Sequence, residues 1–156
     1  MHPSVNRLLE LLPPPQQGGA AVDWEHVEAE FGWRLPTDYR DFVTCYGVGA
    51  ISDSLGISTP PFEGYPFVDH LLYNTPYPDP DNLLRWGANE GADDFYWRCN
   101  SDEPDDWTVA IHLRNHGWQD YPVSMVDFLI QLITRQIDPP LAARLCIDPP
   151  WFEPDV

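Results

Sequence analysis

Residues 24–51 read WEHVEAEFGWRLPTDYRDFVTCYGVGAI, and the spacing of glycine and proline in this stretch sets the architecture. Trp24, Val27, Glu28 and Phe31 fall at i, i+3, i+4 and i+7, one face of a helix. Asp23 stands where its side chain can accept from the first unpaired amides. Gly32 suits the left-handed position past the helix end. Leu35-Pro36 restarts the pattern, with proline in a first turn where its missing N–H costs nothing. Tyr39, Phe42, Val43 and Tyr46 repeat the apolar spacing until Gly47 closes it. Two short helices at an angle do not persist alone, so they must share a core with another layer.

That layer reads as a sheet. Ile51 to Ser58, Asn82 to Trp86, Asp94 to Arg98, Thr108 to Leu113 and Trp118 to Tyr121 are candidate strands, bounded by Gly, Pro, Asn and Asp clusters. Phe67 to Tyr73 fits a helical turn or a strand. A helix starts at Ser124, with Asp127 completing a capping-box-like opening and Met125, Phe128, Leu129, Leu132 and Ile133 on one face. A short helix is expected after Pro139-Pro140, then a proline-rich tail, DPPWFEPDV, with Trp151 and Phe152 packing back. Helices, then strands, then a helix without regular alternation predict an α+β fold. Trp24, Phe31, Leu35, Tyr39, Phe42 and Tyr46 on one side, and Trp86, Trp97, Trp107, Phe128 and Leu129 on the other, form the expected core. Each large aromatic buried there contributes roughly 2 to 3 kcal/mol.

The first 19 residues read as an appended arm and linker. Ser4 is the expected cap of a short helix carrying Leu8, Leu9, Leu11 and Leu12, and PPPQQGG ends it. Residues 20–156 form one expected domain.

The chain has 156 residues and a net charge of −17, from 25 acids and eight basic residues, all arginine. Such a balance repels phosphate, which argues against direct nucleic-acid binding or an anionic membrane surface and favours a basic partner. Cys45, Cys99 and Cys146 show neither a disulfide framework nor a zinc spacing. With no signal segment and no long apolar run, a cytoplasmic protein is expected.

The opening stretch carries a resemblance. W-x-x-V-E-x-x-F-G-x-x-L-P-x-D-Y-R-x-F-x-x-x-Y-G-x-G-x-I resembles the SMI1/KNR4 family, the SUKH superfamily. LLRWG (83–87), the Gly91, Asp93, Phe95, Trp97 run, DDWTVAI (105–111) and SMVDFL (124–129) continue it in order over roughly residues 20 to 137. The resemblance implies helices packed around a twisted, mainly antiparallel or mixed sheet. It also implies a protein-binding role: many bacterial members neutralise secreted polymorphic toxins, often nucleases or deaminases, and fungal relatives regulate cell-wall synthesis and signalling. The chain departs from the family pattern at Ala92, which separates Gly91 from Asp93, and in its long segment Thr59 to Asp81. Both bear on which partner is bound.

No catalytic constellation emerges. His112 and His116, four apart in HLRNH, would share a face only on a helix, and Thr108 to Leu113 reads as a strand; Cys99 or Asp120 would be a third metal ligand. DEPDDW (102–107) lacks the spacing of a calcium loop. Asp93 and Asp94 point to opposite faces if extended. Cys45 lies among apolar neighbours, Ser52, Ser54 and Ser58 lack a nucleophile-elbow context, and no lysine exists to complete a phosphate loop. The expectation is no enzyme, no cofactor and no metal.

Charge points instead to binding. Twelve of the 25 acids and two of the eight arginines fall within residues 53–106. The candidate contact set is Asp53, Phe62, Glu63, Tyr65, Tyr77, Asp79 and Asp81, followed by Glu90, Asp93, Asp94, Asp102, Glu103, Asp105 and Asp106. Acids steer encounter while a few desolvated rings supply affinity. The expected partner is a basic protein, a cognate toxin domain. Three alternatives stay open: a solvated acidic shell, a regulatory module docking a host partner, and a small metal-dependent enzyme.

Overall fold

The computed structural model describes residues 1–31, 34–59, 82–137 and 149–154. Among them are helices α1 (Pro3–Leu11), α2 (Trp24–Phe31), α3 (Thr37–Tyr46) and α4 (Met125–Ile133). Strands β1 (Gly49–Ile51), β2 (Leu55–Ile57), β3 (Leu83–Asn89), β4 (Asp94–Arg98), β5 (Thr108–Leu113), β6 (Gly117–Tyr121) and β7 (Phe152–Pro154) form one sheet. Its order is β6-β5-β4-β3-β2-β1-β7, and every ladder is antiparallel. Six strands meander, and the seventh returns after α4 to lie beside the first. The α+β class is the one expected.

The core lies between one sheet face and the helices. Strand alternation turns Phe95 and Trp97 of β4 and Val109 and Ile111 of β5 inward, where all are buried. A bulge between Arg85 and Gly87 places Leu84 opposite Trp97 and Gly87 opposite Phe95, with Trp86 as the extra inward residue. Tyr39 of α3 meets Trp97 edge-on at 4.9 Å, and Phe128 of α4 meets Trp86 at 6.1 Å and Phe95 at 6.0 Å. The helical hinge is therefore scaffold.

Four expectations change. The single strand Ile51 to Ser58 is two strands, because Ser52 and Asp53 adopt φ of 55° and 54° and the Ser54 N–H donates to the Ile51 carbonyl at 3.0 Å. No glycine marks that turn, so the sequence hides it. The N-terminal arm is packed: Val5, Leu8 and Leu12 belong to the common core, and the Tyr46 hydroxyl donates to the Leu12 carbonyl at 2.6 Å. His2, not Ser4, caps α1, its Nδ1 accepting from the Ser4 N–H. Among the described tail residues only Phe152 is buried, against Phe42 and Tyr46, while Trp151 just before it faces outward, 40% exposed.

Gly49 makes that return possible. A Cβ there would overlap the Glu153 carbonyl oxygen and the Phe152 ring, so no larger residue lets β7 close on β1. Gly32, Phe67 to Tyr73 and the helix expected after Pro139-Pro140 lie outside the described residues. No described helix is long and apolar enough to cross a membrane.

Candidate protein-binding surface

The register sends the expected acidic contact residues to different ends of the sheet. Leu55 pairs with Asn89, so the β1–β2 turn with Asp53 and the β3–β4 turn with Glu90 share one end. Asp102, Glu103, Asp105 and Asp106 lie between β4 and β5, at the other. Phe62, Glu63, Tyr65, Tyr77, Asp79 and Asp81 lie outside the described residues.

Several of these acids hold the fold. Asp93 is wholly buried, which corrects its assignment as a contact residue. Its carboxylate accepts from the Arg114 N–H and the Asn89 Nδ2, each at 3.0 Å, and its own N–H donates to Asn89 Oδ1. It thereby pins the β3–β4 turn to the β5–β6 hairpin and has no surface to offer. Asp94, on the opposite face, is half-buried and paired with Arg85 at 2.9 Å. Glu103 pairs with Arg34 at 2.9 Å.

Asp105 works as a helix cap from a distance. Pro36 occupies the N-cap position of α3 and has no side-chain acceptor. Asp105 supplies one, accepting from the Thr37 N–H at 2.7 Å and the Thr37 hydroxyl at 3.0 Å. Asp105→Ala is expected to cost about 1 kcal/mol in urea unfolding, the usual loss of a capping side chain, with Asp105→Asn recovering most of it. Equal midpoints for the wild type and the alanine variant would refute the capping role. Asp53, Glu90, Asp102 and Asp106 are exposed, and among the described residues they make no ion pair.

A second surface was not singled out from the sequence. On the sheet face away from the helices, Trp118 of β6 packs 4.8 Å from the His112 ring and 5.3 Å from Tyr96. The Arg98 guanidinium sits over the indole at 5.8 Å, and its Nε donates to Asp120. Register explains the grouping: His112 pairs with Trp118, Ala110 with Asp120, and Tyr96 with Ala110. The β5–β6 hairpin closes through a turn in which the His116 N–H donates to Leu113 O at 3.2 Å, followed by Gly117 at φ 75°. Gly117 opens β6 in a left-handed conformation that glycine adopts without strain. The alternation in DFYWR and TVAIHL carried the signal for this face.

The chemistry available for catalysis is thin among the described residues. His112 lies against an indole, and no described group of three or more His, Cys, Asp or Glu could hold a metal ion. Burial pushes the Cys99 thiol up to about 12, and burial together with the Asp41 charge raises that of Cys45. Both stay protonated at neutral pH, which makes them poor nucleophiles.

The sequence matches the profile of the SMI1-KNR4 cell-wall family over residues 22–129. No curated protein and no solved structure matches it.

Proposed function

The chain belongs to the SMI1-KNR4 cell-wall family, of SUKH type, and from that premise we propose that it is a non-catalytic protein-binding module in the cytoplasm. In this reading it is an immunity protein that blocks a basic toxin domain of nuclease or deaminase type. The observation that carries the reading is electrostatic. The chain has a net charge of −17 without a single lysine, and acids stand exposed at both ends of the sheet. A field of this sign speeds capture of a cationic partner by about 10 to 1,000-fold and repels nucleic acid, with which the chain would compete for the toxin's basic surface.

The test is co-expression with the product of the neighbouring gene. The expected result is rescue of growth and a stoichiometric complex whose association rate falls as salt is raised. No rescue and no complex with any neighbouring product would defeat the proposal. A regulatory module docking a host protein is the second reading, favoured by the cell-wall description of the family. Retrieval of a housekeeping partner, with no toxin gene nearby, would select it.

A further inference from the structure

Among the described strands, β6 is an open edge of the sheet. Its residues are exposed except for half-buried Tyr121. Among the described residues its only backbone hydrogen bond outside the β5 ladder is the Tyr121 carbonyl accepting from the Val123 N–H at 2.8 Å. Every second residue of an antiparallel edge turns its N–H and C=O away from its neighbour, a row of groups that another strand can pair. The opposite edge, β7, is three residues long and ends in Pro154, which cannot donate to a further strand.

The side chains on β6 define what fits that row. Trp118 is 44% exposed, yet it is held by Tyr96, His112 and Arg98. A surface indole fixed in this way offers contact area at little entropic cost. Asp120, two residues on, faces the same side with its side chain 63% exposed. An added strand would set alternate residues opposite Trp118 and Asp120 on this face. Arg98 already lies over the indole and donates to one Asp120 oxygen, so an arginine or lysine there would reach the other oxygen of that carboxylate and pack along the exposed part of the ring. A second copy fits poorly, because each chain carries −17 and would bring its own Asp120 to the joint.

We propose that β6 and the face around Trp118 form a docking edge for an extended segment of a partner protein with arginine or lysine at every second position. This rests on the protein-binding reading above and assigns it a surface. The test titrates isotope-labelled full-length protein with a synthetic peptide alternating Arg with Thr and Val, and with the same peptide carrying Glu for Arg.

The arginine peptide is expected to move the amide signals of Gly117–Tyr121 and the Trp118 indole, with affinity falling as salt rises. The glutamate peptide is expected to move none of them. Trp118→Ala should weaken binding by about tenfold or more. Trp151→Ala, beside the opposite edge, should leave it unchanged. Shifts that map elsewhere, equal binding of both peptides, unaltered affinity of Trp118→Ala, or dimerisation through β6 would each overturn the assignment. The titration contains no toxin, so a missing toxin complex does not affect its result. A toxin complex intact in Trp118→Ala would remove the docking edge alone.

Discussion

Trp97→Ala is expected to destabilise the protein by about 3 to 5 kcal/mol, the range for removing a fully buried large aromatic. Trp97 is wholly buried and stands where three groups of side chains meet. Tyr39 of α3 lies edge-on at 4.9 Å, Trp107 at 6.1 Å and Trp86 at 6.4 Å. Removing the indole leaves a cavity under the hinge, and Tyr39 cannot follow inward because its hydroxyl donates to the Ser58 carbonyl at 2.6 Å. A loss of this size is a large share of the stability of a small domain, roughly 5 to 15 kcal/mol. Trp97→Phe should be far milder, about 1 to 2 kcal/mol, because the part deleted carries an indole N–H that has no acceptor among the described residues. Urea unfolding followed by circular dichroism separates the two. A cost below about 1 kcal/mol for the alanine variant would show that Trp97 does not join the layers.

The parts of the fold that follow from local periodicity were legible. The β4 and β5 ranges read from alternation are those observed, and Ser124 caps α4 as its spacing with Asp127 predicted. The acids were not legible in the same way. Asp105 caps α3 across 68 positions of sequence, and Asp93 reaches an amide 21 positions away. An aspartate that serves a distant backbone amide looks, in sequence, like one that serves the solvent. The contact set built from the charge count therefore included acids that the fold itself uses: buried Asp93, and Asp94, Glu103 and Asp105, each held by a partner within the chain. Trp118 shows the converse limit. Alternation places a side chain on one of two faces, but whether helices cover that face is decided by tertiary packing.

Asp38 is the acid whose role has the sharpest consequence. It is 2% exposed, and its carboxylate accepts from the Tyr39 N–H at 2.8 Å and from the Val126 N–H at 3.0 Å, joining α3 to the first turn of α4. Neighbouring bonds continue the seam into α1: the Ser4 hydroxyl donates to Asp127 and the His2 N–H to Asp41. Asp38→Ala strips two buried amides of their acceptor, each worth about 1 to 3 kcal/mol when left unpaired.

The loss should also depend on pH. Burial raises the Asp38 carboxyl above its ordinary 3.8, and the Val126 and Tyr39 amides, the Ser124 hydroxyl and the His2 charge recover only part of that penalty. A group that holds its proton more tightly when folded stabilises fully below its unfolded value, and this contribution is lost as pH rises through the folded one. The alanine variant is therefore expected to fall short of wild type by about 2 to 4 kcal/mol in mild acid and by less at neutral pH. Asp38→Asn keeps one acceptor and cannot titrate, so the gap between it and wild type should narrow in the same direction. Paired urea titrations across that range decide the matter: a gap that stays constant or widens toward neutrality would mean the carboxylate is charged and content in the folded state.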